Sequence, residues 1–552
     1  MNKNNLVQRN LTLGVQNHQK NNFKEAENFY KKILEIDSNH FESNNLLGTL
    51  FLQTKNFEAS IEPLKKATEI QPERVEPYYN LGYAFTELGK LKEAMVYCQK
   101  AIQIKPDHAE AYYNLGNVFK QLEEFEKAGN SYEKTIEIHP DNARAHNNLG
   151  NVFKQLGDYK KAINSYEKAI KIQPDHANAY FNLGNIYKGL GEFKKAISYY
   201  EKLLKYHPLH LETTYNLSEL NKKILDSKLK KKIIEILNNK HSSQKNIAYS
   251  NFLLAKYELK NKNFKNEFNY LLKAHLSWYR SENKRFERSV NYWLNDILKI
   301  KELFNSDKFK ENGNYEIRPI FIVGVPRCGS TLIEKIIGSG AKHIPMGEET
   351  GIFSNYIKKH IDEKQMKIID IENIKEEIIK KYKQKGLLKK NFNYIFTDKS
   401  LNNFFYVSII KKIFPHAKII NCKRNVQASI MSILKNNLGG IAWAHSLENI
   451  FKYFNIYDQT INYFYKKYPY FIYQLDYEKL VNSPEVESKK LMKFCNLVWS
   501  KKCLEFYKRK DIISQTTSNI QIRKSIYKAS TKKYSPYKKF LDQYGSKYKW
   551  YK

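Results

Sequence analysis

Along the first two fifths of the chain, apolar positions recur at helical spacing, and the pattern returns every 34 residues. In the unit AYYNLGNVFKQLEEFEKAGNSYEKTIEIHPDN, that spacing runs on both sides of a break near Glu123 and Glu124, which predicts two helices per unit. Glycine returns at Gly14, Gly48, Gly82, Gly116, Gly150 and Gly184, and Ser218 takes the next place. Small residues keep the same step at Ala26, Ser60, Ala94, Ala128, Ala162 and Ala196. These two columns suit close approach of the paired helices. Prolines at Pro72, Pro106, Pro140, Pro174 and Pro208 suit the start of each following unit. From Glu219 to Asn314 the strict period is lost, but helical spacing persists, as in a degenerate unit that caps the array and joins it to the next domain. At Pro319 the texture changes. PIFIVG is a short apolar run of the kind a buried parallel strand needs, and it leads through GVPRCGST into the apolar helix LIEKIIG. No run of 18 apolar residues occurs, so no membrane span is expected.

The 34-residue unit resembles the tetratricopeptide repeat, and units of that kind stack into a right-handed superhelix with a concave groove. One polar column interrupts the apolar ones: Asn80, Asn114, Asn148, Asn182 and Asn216, each two residues before the glycine column or its Ser218 counterpart. On the first helix of each unit that place is expected to face the groove. A ladder of amides there can pair with the main chain of an extended peptide without reading its side chains. The repeats resemble those of O-linked N-acetylglucosamine transferase, whose asparagine ladder holds peptides. The competing reading is a hydrogen bond between helices.

Strand, glycine loop and helix form the arrangement that aims main-chain N–H groups at a phosphate. Gly324, Gly329 and Thr331 keep the spacing of the nucleoside triphosphate loop, but its lysine position holds Ser330. That lysine neutralises the β- and γ-phosphates, so its absence argues against ATP or GTP hydrolysis. Arg327 supplies a cation from inside the loop.

PRCGST resembles the 5′-phosphosulfate loop of sulfotransferases, and further segments agree in order. GEET (Gly347–Thr350) resembles the segment that carries the catalytic base in tyrosylprotein sulfotransferases. TDKSLNNF carries Lys399. KIINC leads into KRNVQASIMS, with Arg424 and Ser432 eight apart as in the 3′-phosphate motif. LDYEKLV carries Tyr477, and TTSNIQIRKSIYKASTKKY carries Ser518 and Lys533. With the repeats, the whole resembles bacterial repeat-containing sulfotransferases. The resemblance implies transfer of a sulfuryl group from PAPS (3′-phosphoadenosine-5′-phosphosulfate), without a metal. It implies Glu349 as base, with Glu348 its rival, and Lys399 and Arg327 as charge stabilisers. It assigns Arg327, Cys328, Gly329, Ser330 and Thr331 to the 5′ end of the donor. Arg424 and Ser432 fall to its 3′-phosphate, and Tyr477, Ser518 and Lys533 to the rest of the nucleotide. Three departures stand out. Gly351 replaces an arginine that places the tyrosine substrate, RNVQ replaces RDxR, and Ser525 replaces a proline.

The expected fold is multidomain: an all-α tetratricopeptide solenoid over 1–218, a helical connector over 219–314, and an α/β P-loop-like sulfotransferase domain with a parallel central sheet over 315–552. A chain of 552 residues has room for these. The net charge of +36 favours anionic partners, but Lys, Asn, Ile and Tyr share A/T-rich codons, which accounts equally well for the excess. Five cysteines without a CxxC pair suggest neither a disulfide framework nor a zinc site, and MNKNNLVQRN has no apolar stretch, so no signal peptide is expected. A cytoplasmic enzyme is expected. Its expected partner is a protein or peptide in the repeat groove, and a homo-oligomer is compatible with the sequence. Protein tyrosine is the leading acceptor; small molecules or glycans, with the repeats as scaffold, are the alternative. A decayed scaffold is opposed by intact Arg327, Glu349, Lys399, Arg424 and Ser432. Nucleic acid is opposed by the lack of a recognition motif in the basic tail.

Overall fold

The structure is a computed structural model that describes residues 3–298, 316–359, 361–362, 367–368, 371–392, 394–509, 521–526 and 531–551. The chain divides into two compact units, residues 1–186 and 187–552.

In the first unit, helices pair as hairpins: Lys3–Gln19 with Phe23–Ile36, Phe41–Gln53 with Phe57–Ile70, Val75–Glu87 with Leu91–Ile104, Ala109–Gln121 with Phe125–Ile138, and Ala143–Leu156 with Tyr159–Ile172. The glycine column has a packing cause. A Cβ on Gly14, Gly48, Gly82, Gly116 or Gly150 would stand 2.4–2.7 Å from the side chain of Tyr30, Leu64, Cys98, Tyr132 or Tyr166 respectively. Each of those buried side chains comes from the second helix of the same hairpin, so the glycine lets it seat against the first. The turn between the two helices holds one residue in left-handed backbone: Asn21, Lys55, Gly89, Glu123 and Gly157. For Lys55 and Glu123 that costs about 1 kcal/mol, which the packing of the hairpin outweighs.

The asparagine column bridges repeats. Asn114 Nδ2 donates to Tyr79 O at 3.1 Å, and Asn148 Nδ2 to Tyr113 Oη at 3.0 Å and Asn117 Oδ1 at 3.3 Å. Asn182 Nδ2 donates to Asn147 Oδ1 and Asn151 Oδ1, both at 3.2 Å, and Asn80 Nδ2 to Thr49 Oγ1 at 3.2 Å. A second amide column, Asn117 and Asn151, accepts one bond each from Asn148 and Asn182 together with the hydroxyls of Tyr132 and Tyr166 at 2.7 and 2.8 Å. Asn216 lies on the helix Leu211–Leu220 in the second unit.

The second unit begins with helices, including Phe193–Tyr206, Leu211–Leu220, Ser227–Asn238, Gln244–Lys260 and Phe264–Ser281. A four-stranded sheet comes next, with β1 (Arg318–Gly324), β4 (Ile395–Asp398), β5 (Lys418–Lys423) and β6 (Ile472–Asp476). A short antiparallel ribbon, β2 (Ile361–Asp362) with β3 (Lys367–Ile368), lies between β1 and β4 in sequence. The sheet order is β4-β1-β5-β6 and every pairing is parallel. Six of the seven residues of β1 are buried, as its unbroken apolar run requires for a central strand. One hydrophobic core runs from Leu211 to Leu541 and takes in the four strands together with the helices after the repeats. All four strands point the same way, so their carboxyl ends, and the loops beyond them, gather at one edge.

Candidate active site

Those loops line a cavity of about 400 Å3. β1 supplies the phosphate loop. Its end, Gly329, has φ of 102° and caps the helix Ser330–Gly338. A Cβ at Gly329 would lie 2.3 Å from the ring of Tyr477, which comes directly after β6, so both the backbone and the space demand glycine. Arg327, Gly329, Ser330 and Thr331 line the cavity, with the first turn of the helix presenting its N–H groups.

β5 supplies Arg424. Its guanidinium lies over the Tyr477 ring at 4.8 Å and donates from Nη1 to Arg327 O at 2.8 Å. Its Nε is buried with no hydrogen-bond partner. Arg327 Nε donates to Ser432 Oγ at 2.8 Å. Burial, then the neighbouring Arg424 charge, holds Arg327 below the usual arginine range. Two guanidinium groups thus share one wall of the cavity with an unused donor, an arrangement that an anion would relieve.

The segment after β4 reaches the cavity at Leu401. Asp398 is buried at the end of β4, accepting from Tyr382 Oη at 2.6 Å, Thr350 Oγ1 at 3.0 Å and Ser400 N at 2.9 Å. These bonds tie the acidic turn to the loop that carries Lys399. Lys399 is 0% exposed, and its Nζ reaches Glu349 Oε1 at 2.8 Å, while Glu349 is 59% exposed and lines the cavity. Burial alone would lower the Lys399 ammonium; the attraction of Glu349, then of Glu334 and Glu348, outweighs it, and its pKa is raised. Glu348 points the other way, with Oε1 3.0 Å from the buried Lys335 Nζ. The two adjacent glutamates therefore have different surroundings, and only Glu349 is a cavity residue.

Several residues picked out in the sequence take other places. Ser432 serves Arg327 rather than the cavity wall. Cys328 is fully buried behind the loop, its Sγ against Gly324 and its carbonyl accepting from Cys422 Sγ at 3.0 Å. Ser518 and the side chain of Lys533 lie outside the described residues. Sequence alone does not single out Asp398, Glu334, Lys335 or the loop from Asn437 to Ile441, which closes part of the cavity. A signal for two of them was present: Glu334 and Lys335 interrupt an otherwise apolar helix. All five cysteines are buried free thiols. Among the described residues, no group of three or more His, Cys, Asp and Glu is placed to hold a metal ion, and no helix is long and apolar enough to cross a membrane.

The loop from Asn437 to Ile441 is anchored by a buried histidine pair. His275 Nε2 meets Leu434 O at 2.9 Å, His275 Nδ1 meets His445 Nδ1 at 3.0 Å, and His445 Nε2 meets Leu438 O at 3.3 Å. Burial pushes His275 down to about 4, and burial with the neighbouring His275 pushes His445 down to about 3. Below the ordinary ~6.5 the unfolded chain takes up protons that the folded pair excludes, so stability is complete above that pH and falls as the pH drops toward 4. Between pH 7.5 and 5 the loss should be on the order of 2 kcal/mol per ring. Urea midpoints at the two pH values measure it, and His445→Gln should flatten the dependence.

A glycine loop with serine at the lysine position and an arginine inside it, at the carboxyl edge of a parallel sheet, belongs to the class of α/β domains with a phosphate-type loop. Residues 319–501 match the sulfotransferase family, and residues 10–40, 48–89, 82–122, 116–157, 150–191 and 177–210 match tetratricopeptide repeats. The chain carries a sulfotransferase-family domain behind a tetratricopeptide array. An uncharacterized protein of Aquifex aeolicus (strain VF5) is 30% identical over 327 residues, or 55% of this chain; the match spans 42% of that relative's own length. Among solved structures, the MamA protein is 31% identical, with 31% of this chain and 94% of that one covered and a TM-score of 0.29. YrrB, described as a tetratricopeptide protein with an unusual peptide-binding site, is 25% identical, with 31% and 88% covered and a TM-score of 0.27.

Proposed function

We propose that the chain transfers a sulfuryl group from PAPS to an acceptor hydroxyl. The observation that carries this reading is the convergence on one cavity of the lysine-free phosphate loop, the Arg327–Arg424 wall and Glu349, which is backed by the buried Lys399 at 2.8 Å. Bound there, PAPS supplies a sulfur electrophile with a phosphate leaving group. Glu349, the exposed carboxylate, takes the proton from the acceptor hydroxyl as its oxygen attacks sulfur. Lys399 and Arg327 stabilise the charge that develops on the transferred group and on the departing phosphate oxygen. The loop amides and Thr331 hold the 5′-phosphate, and Arg424 holds the 3′-phosphate. Tyr477 packs under Arg424 and fixes its plane.

The favoured acceptor is protein tyrosine, delivered by a chain bound along the repeats. The Nδ2 groups of Asn80, Asn114, Asn148 and Asn182 are committed between repeats, so a peptide N–H would be accepted by their Oδ1 atoms, of which that of Asn148 also accepts from Asn147 Nδ2 at 3.5 Å. The same inter-repeat bonds favour a second reading, in which the column stiffens a scaffold and the acceptor is a small molecule or glycan. Asn114→Ala, Asn148→Ala and Asn182→Ala together should weaken an extended peptide at least tenfold; unchanged affinity in a protein that melts earlier selects the scaffold. The function itself is tested by incubating the enzyme with radiolabelled PAPS and host lysate. Label in protein supports the favoured acceptor, label in glycan or small molecules the second, and no PAPS-dependent transfer in any fraction overturns the proposal.

A further inference from the structure

Two consecutive residues of the helix Ser330–Gly338 act on one residue of the acidic turn. Glu334 Oε1 accepts the main-chain N–H of Glu348 at 2.9 Å, and Lys335 Nζ holds the Glu348 carboxylate at 3.0 Å. Consecutive helix positions point about 100° apart, so the pair grips Glu348 from two directions. The same Glu334 oxygen accepts the Thr397 hydroxyl at 2.8 Å. Thr397 lies on β4, two residues before Lys399, and its carbonyl accepts Gly347 N–H at 2.9 Å. One carboxylate oxygen thus ties together the helix behind the phosphate loop, the acidic turn and the strand that carries Lys399.

The turn needs that tie. Glu348 has φ of 52°, a left-handed backbone that strains any residue with a side chain. In this conformation its carboxylate turns inward to Lys335, and the next residue, Glu349, faces the cavity 2.8 Å from Lys399. An unstrained, extended backbone at 348 would redirect both side chains and separate Glu349 from Lys399. Glu334 is itself 0% exposed, and its Oε2 is buried without a hydrogen bond, 3.9 Å from Lys335 Nζ. A carboxylate that served packing alone would have both oxygens satisfied or would be apolar. Burial pushes the Glu334 carboxyl up, against the attraction of Lys335 and Lys399. Its hydrogen bonds to the Glu348 amide and the Thr397 hydroxyl depend on the reach of the side chain.

We propose that Glu334 is the positioning residue of the transfer site: through the Glu348 amide it decides which of two adjacent glutamates faces the acceptor. This rests on Glu349 being the base. Glu334→Gln keeps the reach and loses the charge, whereas Glu334→Asp keeps the charge and loses the reach. The Gln variant should retain most of kcat. The Asp variant should lose at least thirtyfold in kcat, with affinity for adenosine 3′,5′-bisphosphate within twofold of the parent. Placed in a Glu349→Gln background, Glu334→Asp should cause no further loss, because it acts through a base already removed. A Gln variant slower than the Asp variant, or an additive loss in the double variant, overturns the proposal. Full turnover in Glu349→Gln alone would instead overturn the base assignment on which it rests.

Discussion

Glu349→Gln should lower kcat by roughly 10²–10⁴, the range a positioned general base contributes, while affinity for adenosine 3′,5′-bisphosphate stays near that of the parent. The amide still accepts from Lys399, but the fully buried ammonium loses its carboxylate, so some loss of melting temperature accompanies the loss of the proton acceptor, and the rate is the deciding readout. Glu348→Gln should behave differently. Its carboxylate pairs with Lys335, which is 1% exposed, and not with the cavity. Removing one partner of a buried pair leaves an uncompensated charge, at about 3 kcal/mol or more, so this variant should appear first as a lower melting temperature. Single-turnover rates and thermal denaturation of the two variants separate the roles. Equal loss of rate in both with unchanged stability would return the choice of base to the acidic turn as a whole.

Arg424→Ala should weaken adenosine 3′,5′-bisphosphate by about ten- to a hundredfold, the worth of a charge-assisted hydrogen bond at a partly buried site. AMP, which lacks the 3′-phosphate, should bind the variant and the parent alike. The orphaned Nε and the stacking on Tyr477 hold a planar cation ready at the end of β5. Titration calorimetry with the two nucleotides checks it, and an equal loss for both would mean that Arg424 serves the 5′ end through Arg327. Ser432→Ala should show a smaller version of the 5′ effect, since its hydroxyl steadies Arg327 at 2.8 Å.

The repeat array was legible because its period repeats one packing problem: a large side chain from the second helix must seat on a glycine of the first. The asparagine column was equally legible as a column, yet its hydrogen bonds were not. Whether an amide faces a neighbouring helix or a ligand depends on residues 31 and 35 positions away, which spacing alone does not orient. In the same way the motif that marks Ser432 does not reveal that its hydroxyl accepts from Arg327 Nε.

The sequence by itself determined the 34-residue hairpins, the buried central strand and a phosphate loop with Ser330 at the lysine position and Arg327 inside it. Each of these arises from local periodicity or from residues only a few positions apart. The tertiary structure alone decided the rest. Parallel pairing brought four strand ends, distant in sequence, to one edge, and burial split Glu348 from Glu349 by giving each its own lysine. Which of two neighbouring carboxylates meets solvent is set by a left-handed turn and by a side chain from another element, and nothing in the order GEET encodes that choice.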